Sequence, residues 1–134
     1  MNPLEDTAAG AQRTPEPTGS PLLSFDFGAE LERLRTEDHP WQAGRNARTL
    51  VKYPNLRIVL IGLRPGAHLV EHQAAGPVSI HVMAGHLLVR AAGQAFDLQK
   101  GQLLSIEAQV PHDVEALAES AALITIAWPG DEGR

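Results

Sequence analysis

The sequence predicts an all-β domain, a sandwich or barrel of short antiparallel strands with one helix ahead of it. Three observations carry this. After Asn46, short apolar segments alternate with turn formers at intervals of about ten residues. No stretch between those segments has the helical period that a βαβ fold requires. At 134 residues and 43% hydrophobic, the chain is long enough for one core and too short for two.

The elements run in order along the chain. Residues 1–20 hold Pro3, Pro15, Pro17, Gly10 and Gly19 without periodic apolar positions and read as a disordered leader, so the domain is expected over 21–130. Leu22, Leu23, Phe25 and Phe27 suggest a short extended lead-in. A helix is expected over about 28–36, because Ala29 to Arg35 are good helix formers with Leu31 and Leu34 on one face. Asp26 can cap it, and it must end before Pro40. Trp41 to Asn46 reads as a loop. The barrel is expected over about 47–128, with strands at Arg48–Tyr53, Leu56–Leu63, Ala67–His72, Val78–Met83, Leu87–Ala91, Ala95–Leu98, Leu103–Glu107, His112–Leu117 and Leu123–Trp128. The turns between them are marked by Pro54-Asn55, Pro65-Gly66, Gly76-Pro77, Gly85, Gly93, Lys100-Gly101, Pro111 and Glu119-Ser120.

Two strands, at Ile58–Ile61 and Leu123–Trp128, are apolar on both faces. A half-exposed strand would alternate, so each needs a cover, either the helix or a second subunit, and a homodimer is expected. The net charge of −5 argues against nucleic acid or an anionic membrane as partner, since both are held mainly through Lys and Arg. No segment is long and apolar enough to span a bilayer, and Met1 to Ser20 lack the apolar run of a secretory signal. With no cysteine there is no disulfide, thiolate ligand or thiol nucleophile, which fits a cytoplasmic protein.

The chemistry rests on histidine. His72 and His112 lie forty residues apart on strands that can be neighbours, so both imidazoles can face one cavity. Strand alternation adds Val70, Val78, Ile80, Val82, Val114 and Ala116 to that interior and turns Glu71, Asp113 and Glu115 away. A mostly apolar cavity with a few polar points is the usual form of a small-molecule site. Neutral imidazole both donates and accepts, and it titrates near neutrality. His68 shares a face with His72 on a straight strand, but their roots are then about 13 Å apart, too far to hold one ion unless a bulge intervenes. His68 is expected at the cavity mouth, His81 on the outside, and His39 and His86 in solvent.

The run from Arg64 to Trp128 resembles the cupin superfamily of small jelly-roll barrels. Pro65-Gly66 leading to His72, and Gly101 before a strand followed by Pro111-His112, are similar to that family's opening and closing motifs. The resemblance implies a jelly roll and a metal held by His, His, Glu and a second-motif His. Here His72, Ala74 and Val78 fall on the first three places and His112 on the fourth, so two of the four ligands are present. The second motif's usual Pro, Gly and Asn fall on Glu107, Gln109 and Ala116. The resemblance therefore implies a small-molecule-binding cupin with a sensing or accessory role, binding a divalent metal (Zn, Fe, Ni or Mn) at low occupancy through His72 and His112. Its ligand would touch His72, His112, His68, Val70, Val78, Ile80, Val82 and Val114. The alternative is a metal-dependent enzyme of dioxygenase, isomerase or decarboxylase type. A domain serving self-association alone is a third reading.

Overall fold

The computed structural model describes residues 18–36, 41–72 and 75–128, with the backbone alone at 70–72. Most of the expected leader, residues 1–17, lies outside the described residues, as do Pro40, His39 and Ala74. The described part of the leader is already docked: the Thr18 carbonyl accepts from the Lys52 amide at 2.9 Å, and the Ser20 carbonyl accepts from the Tyr53 hydroxyl at 2.8 Å.

The helix α1 spans Phe27–Thr36. Asp26 caps it as expected, its Oδ1 accepting from the Ala29 amide at 3.3 Å. Nine strands come after it, β1 (Arg45–Tyr53), β2 (Leu56–Leu63), β3 (His68–His72), β4 (Val78–Ala84), β5 (His86–Ala91), β6 (Gln94–Gln99), β7 (Leu103–Ile106), β8 (His112–Ala116) and β9 (Ser120–Ala127). Every expected strand is present. Two begin three residues earlier than expected. β1 starts at Arg45 because Ala43 and Gly44, with φ of 53° and 77°, fold the supposed loop into a tight turn closed by paired Gln42 and Arg45 backbone bonds. β9 takes in Ser120, whose hydroxyl accepts from the His86 amide at 2.9 Å and so sits in the ladder rather than in a turn.

All pairings are antiparallel and form two sheets, β1-β2-β9-β4-β7 and β3-β8-β5-β6, the arrangement of a jelly roll. The inner faces meet in one core. Leu63, Val82, Leu87 and Val89 are fully buried there, with Ile80 and Ala116 at 1% exposure. Each such Leu, Val or Ile side chain contributes about 1.5–3 kcal/mol relative to exposure.

A second core lies outside the five-stranded sheet. Leu34 of α1 packs with Leu50, Val51 and Leu60, and Leu23, Phe25, Leu31, Ile58 and Leu123 border them. The helix thus covers the outer face of β2. Gly62 permits the approach, since a Cβ there would meet Trp41 Cη2 at 3.0 Å and Leu34 Cδ2 at 3.1 Å. Polar contacts fix the helix laterally. The Leu34 carbonyl accepts from Asn46 Nδ2 at 3.2 Å, and Glu30, buried at 8% exposure, lies 3.3 Å from Arg48 Nε.

Candidate functional site

The site begins with the register of β3 against β8. His68 pairs with Glu115 and Leu69 with Val114, but His72 pairs with His112, so the count slips by one residue between Leu69 and His72. This is the bulge that a straight-strand reading leaves out. It separates His68 from position 72. His68 is exposed opposite Glu115, whereas position 72 falls directly across from His112. His68, expected among the ligand contacts, is thus exposed at its register place opposite Glu115, and the straight-strand spacing from His68 to position 72 does not hold across the bulge. Leu69 packs against the inner core from opposite the buried Val114. Val70, expected inside, has only its backbone described.

Along β8 burial alternates, with His112, Val114 and Ala116 buried and Asp113 and Glu115 half-buried on the other face. His112 therefore points inward at 8% exposure. Its Nδ1 lies 3.0 Å from the Val110 carbonyl oxygen. A carbonyl only accepts, so Nδ1 carries the proton, which in the neutral ring makes Nε2 the acceptor. Such a bond to a backbone carbonyl orients a ring that serves through its other nitrogen. Gln109, in the turn before it, has φ of 69°, a left-handed conformation that costs a non-glycine residue about 1 kcal/mol or more. It holds the position where the resemblance places a glycine.

Each sheet ends in a row of paired residues. In one, His72, His112, Ala91 and Gln94 succeed each other across β3, β8, β5 and β6. In the other, Lys52, Arg57, Ile126, Val78 and Ile106 cross β1, β2, β9, β4 and β7. The chain passes from His72 to Val78 and from Ile106 to His112 through short connections, so both rows close the same end of the jelly roll.

A hollow of about 510 Å³ opens beside His112, bounded by Pro111, Asp113, Arg90, Gln94 and the Ala92-Gly93 turn. Arg90 is held across its rim by Asp113 at 3.5 Å and Glu115 at 3.2 Å. The other expected lining residues, Val78, Ile80, Val82 and Val114, do face the interior, but as members of its close-packed core. Of the expected ligand contacts, the described hollow takes in His112. The β5–β6 hairpin that completes it was not singled out by sequence. The signal available was the Ala92-Gly93 turn, which brings Ala91 and Gln94 into register beside His112.

The donor set does not fit the four-ligand metal centre that the resemblance implies. Val78 and Ala116 occupy two of the motif positions and are packed apolar side chains, at 6% and 1% exposure. Asp113 and Glu115 lie on the opposite face, next to Arg90. Among the described residues no three His, Cys, Asp or Glu side chains come together as a metal site.

No protein-family model matches the sequence, and no curated protein does. Solved structures do match the fold. An RmlC-like cupin from Shewanella frigidimarina is 21% identical, with a TM-score of 0.68 over 87% of this chain and 97% of that one. A cupin superfamily protein from Desulfitobacterium hafniense is 16% identical, with a TM-score of 0.64 over 67% of this chain and 83% of that one. Salicylate 1,2-dioxygenase from Pseudoaminobacter salicylatoxidans is 20% identical, with a TM-score of 0.69 over 84% of this chain but only 35% of that one. The chain has the cupin fold, as the run from Arg64 to Trp128 leads one to expect. No helix among the described residues is long and apolar enough to cross a membrane.

Proposed function

We propose that this chain is a small-molecule-binding cupin with a sensing or accessory role, and that its ligand sits at the end of the jelly roll closed by the His72–His112 pair. The observation that carries the reading is His112 itself. It is a buried imidazole, fixed through Nδ1, opposite a second histidine position and beside a hollow of about 510 Å³. With Nδ1 held on the Val110 carbonyl, the neutral ring can accept at Nε2 from a phenol or sugar hydroxyl, and the imidazolium can donate there to a carboxylate. Apolar walls supply the rest of the affinity.

The alternative, a metal-dependent enzyme, draws on the likeness to salicylate 1,2-dioxygenase. It is weakened by the apolar residues at two of the ligand positions, because two imidazoles hold an ion loosely. Calorimetric titration of the purified protein with a broad metabolite panel, with and without added Zn, Fe, Ni or Mn salts, tests the reading. Saturable binding that His112→Ala and His72→Ala each weaken supports it. Stoichiometric copurified metal, lost in both variants, would replace it with the enzyme reading, and no binding at all would end both.

The homodimer belongs to the same proposal. It would use the part of the outer sheet face beyond α1, where Leu103 is 58% exposed on the edge strand β7 beside its register partner His81. A monomer in sedimentation equilibrium at micromolar concentration would remove it.

A further inference from the structure

The second end row holds a feature that the histidine reading does not use. Lys52 of β1 and Arg57 of β2 are register partners, so two cations stand directly opposite each other. Like charges so placed destabilise a sheet. The described ion pairs engage Arg33, Arg35, Arg48, Arg90 and His86, and neither Lys52 nor Arg57. The guanidinium of Arg57 lies over the Trp128 ring, 5.0 Å from its centroid, while its buried Nε has no hydrogen-bond partner. A buried donor left unpaired costs free energy. The stack fixes the plane of the guanidinium, so little rotamer freedom is lost when an anion meets its edge.

The surroundings suit such an anion. A hollow of about 330 Å³ is lined by Lys52, Tyr53, Pro54, Arg57 and Trp128. Tyr53 donates its hydroxyl to the Ser20 carbonyl and so presents ring rather than polar surface. In a chain of net charge −5, two uncompensated cations walled by two aromatic rings and a proline are a local reversal of the field.

We propose that Lys52 and Arg57 form an anion-binding site at the end of the jelly roll, which takes the carboxylate of a small planar organic acid. The carboxylate receives hydrogen bonds from Arg57 and charge from Lys52, and the apolar part of the acid lies against Tyr53 and Pro54. Inorganic phosphate offers the same charge without the planar body. The site does not depend on the histidine pair.

The Arg57 Nε–H cross-peak in a ¹⁵N–¹H spectrum of the full chain tests this, assigned by its loss in Arg57→Lys. Benzoate, acetate and inorganic phosphate are titrated separately at constant ionic strength in chloride. The expected result is a saturable shift with benzoate, at an apparent Kd about tenfold below that for acetate or phosphate. Lys52→Gln, at an exposed position, should weaken benzoate by about tenfold, as loss of one charge-assisted contact does. Arg57→Gln should abolish the benzoate-induced change in Trp128 fluorescence, identified with Trp128→Phe. Tighter binding of phosphate than of benzoate would overturn the organic-acid assignment. No saturable shift with any of the three, or a shift unchanged in Lys52→Gln, would overturn the site.

Discussion

Gln109 illustrates how much a single backbone angle settles near the site. With φ of 69° it turns the chain so that Val110 can present its carbonyl to the His112 ring. Glycine adopts this conformation without the Cβ clash, although it loses more freedom on folding. Gln109→Gly is therefore expected to leave stability unchanged or raise it by up to about 1 kcal/mol in urea unfolding. A loss of more than about 1 kcal/mol would show that the Gln side chain supports the turn. Glu30 makes the opposite case. It is a nearly buried carboxylate between Arg48 and Arg33, at 3.3 and 3.7 Å. Removing it takes a nearly buried carboxylate away from both Arg48 and Arg33, so Glu30→Ala should cost about 2 kcal/mol, visible as a lower urea midpoint at unchanged slope. A midpoint that does not move would mean that solvent already carries most of the Arg48 charge.

Elements are where the sequence was most legible. Strand positions came from turn formers, and the nine segments between Pro54-Asn55, Gly85, Gly93, Gly101 and the other breakers all became strands. The boundaries that moved were set by tertiary contacts. The turn at Ala43-Gly44 extends β1, and Ser120 is drawn into β9 by its bond to the His86 amide. The bulge in β3 was not legible, because neither Leu69, Val70 nor Glu71 carries a bulge signature such as glycine. That slip, invisible in the residues, decides which position pairs with His112. The doubly apolar β2 found its cover in α1, with Gly62 as the point of closest approach. Gly62→Val should destabilise by about 1–3 kcal/mol, because Leu34 and Trp41 must shift. The readout is a lower Tm together with earlier proteolysis within α1. Full retention of Tm would mean that the helix contributes little to the fold.

At the scale of the whole molecule, the register brings its unusual residue positions to one end of the jelly roll. His72 and His112 close one sheet there, and Lys52 and Arg57 close the other. The family's fold was legible from the Pro65-Gly66 and Pro111-His112 spacing, whereas the chemistry was not. Two of the motif's ligand positions carry Ala74 and Val78, and among the described residues no three His, Cys, Asp or Glu side chains come together to replace them. The binding proposed for the histidine end depends on the His112 ring acting through Nε2. Long-range ¹⁵N–¹H spectra of that imidazole, recorded with the metabolite panel and with Zn²⁺, test this most directly. A neutral ring protonated on Nδ1, whose Nε2 resonance moves on binding at least one of them, is the expected result. A ring protonated on Nε2, or an Nε2 resonance that none of them moves, would contradict it.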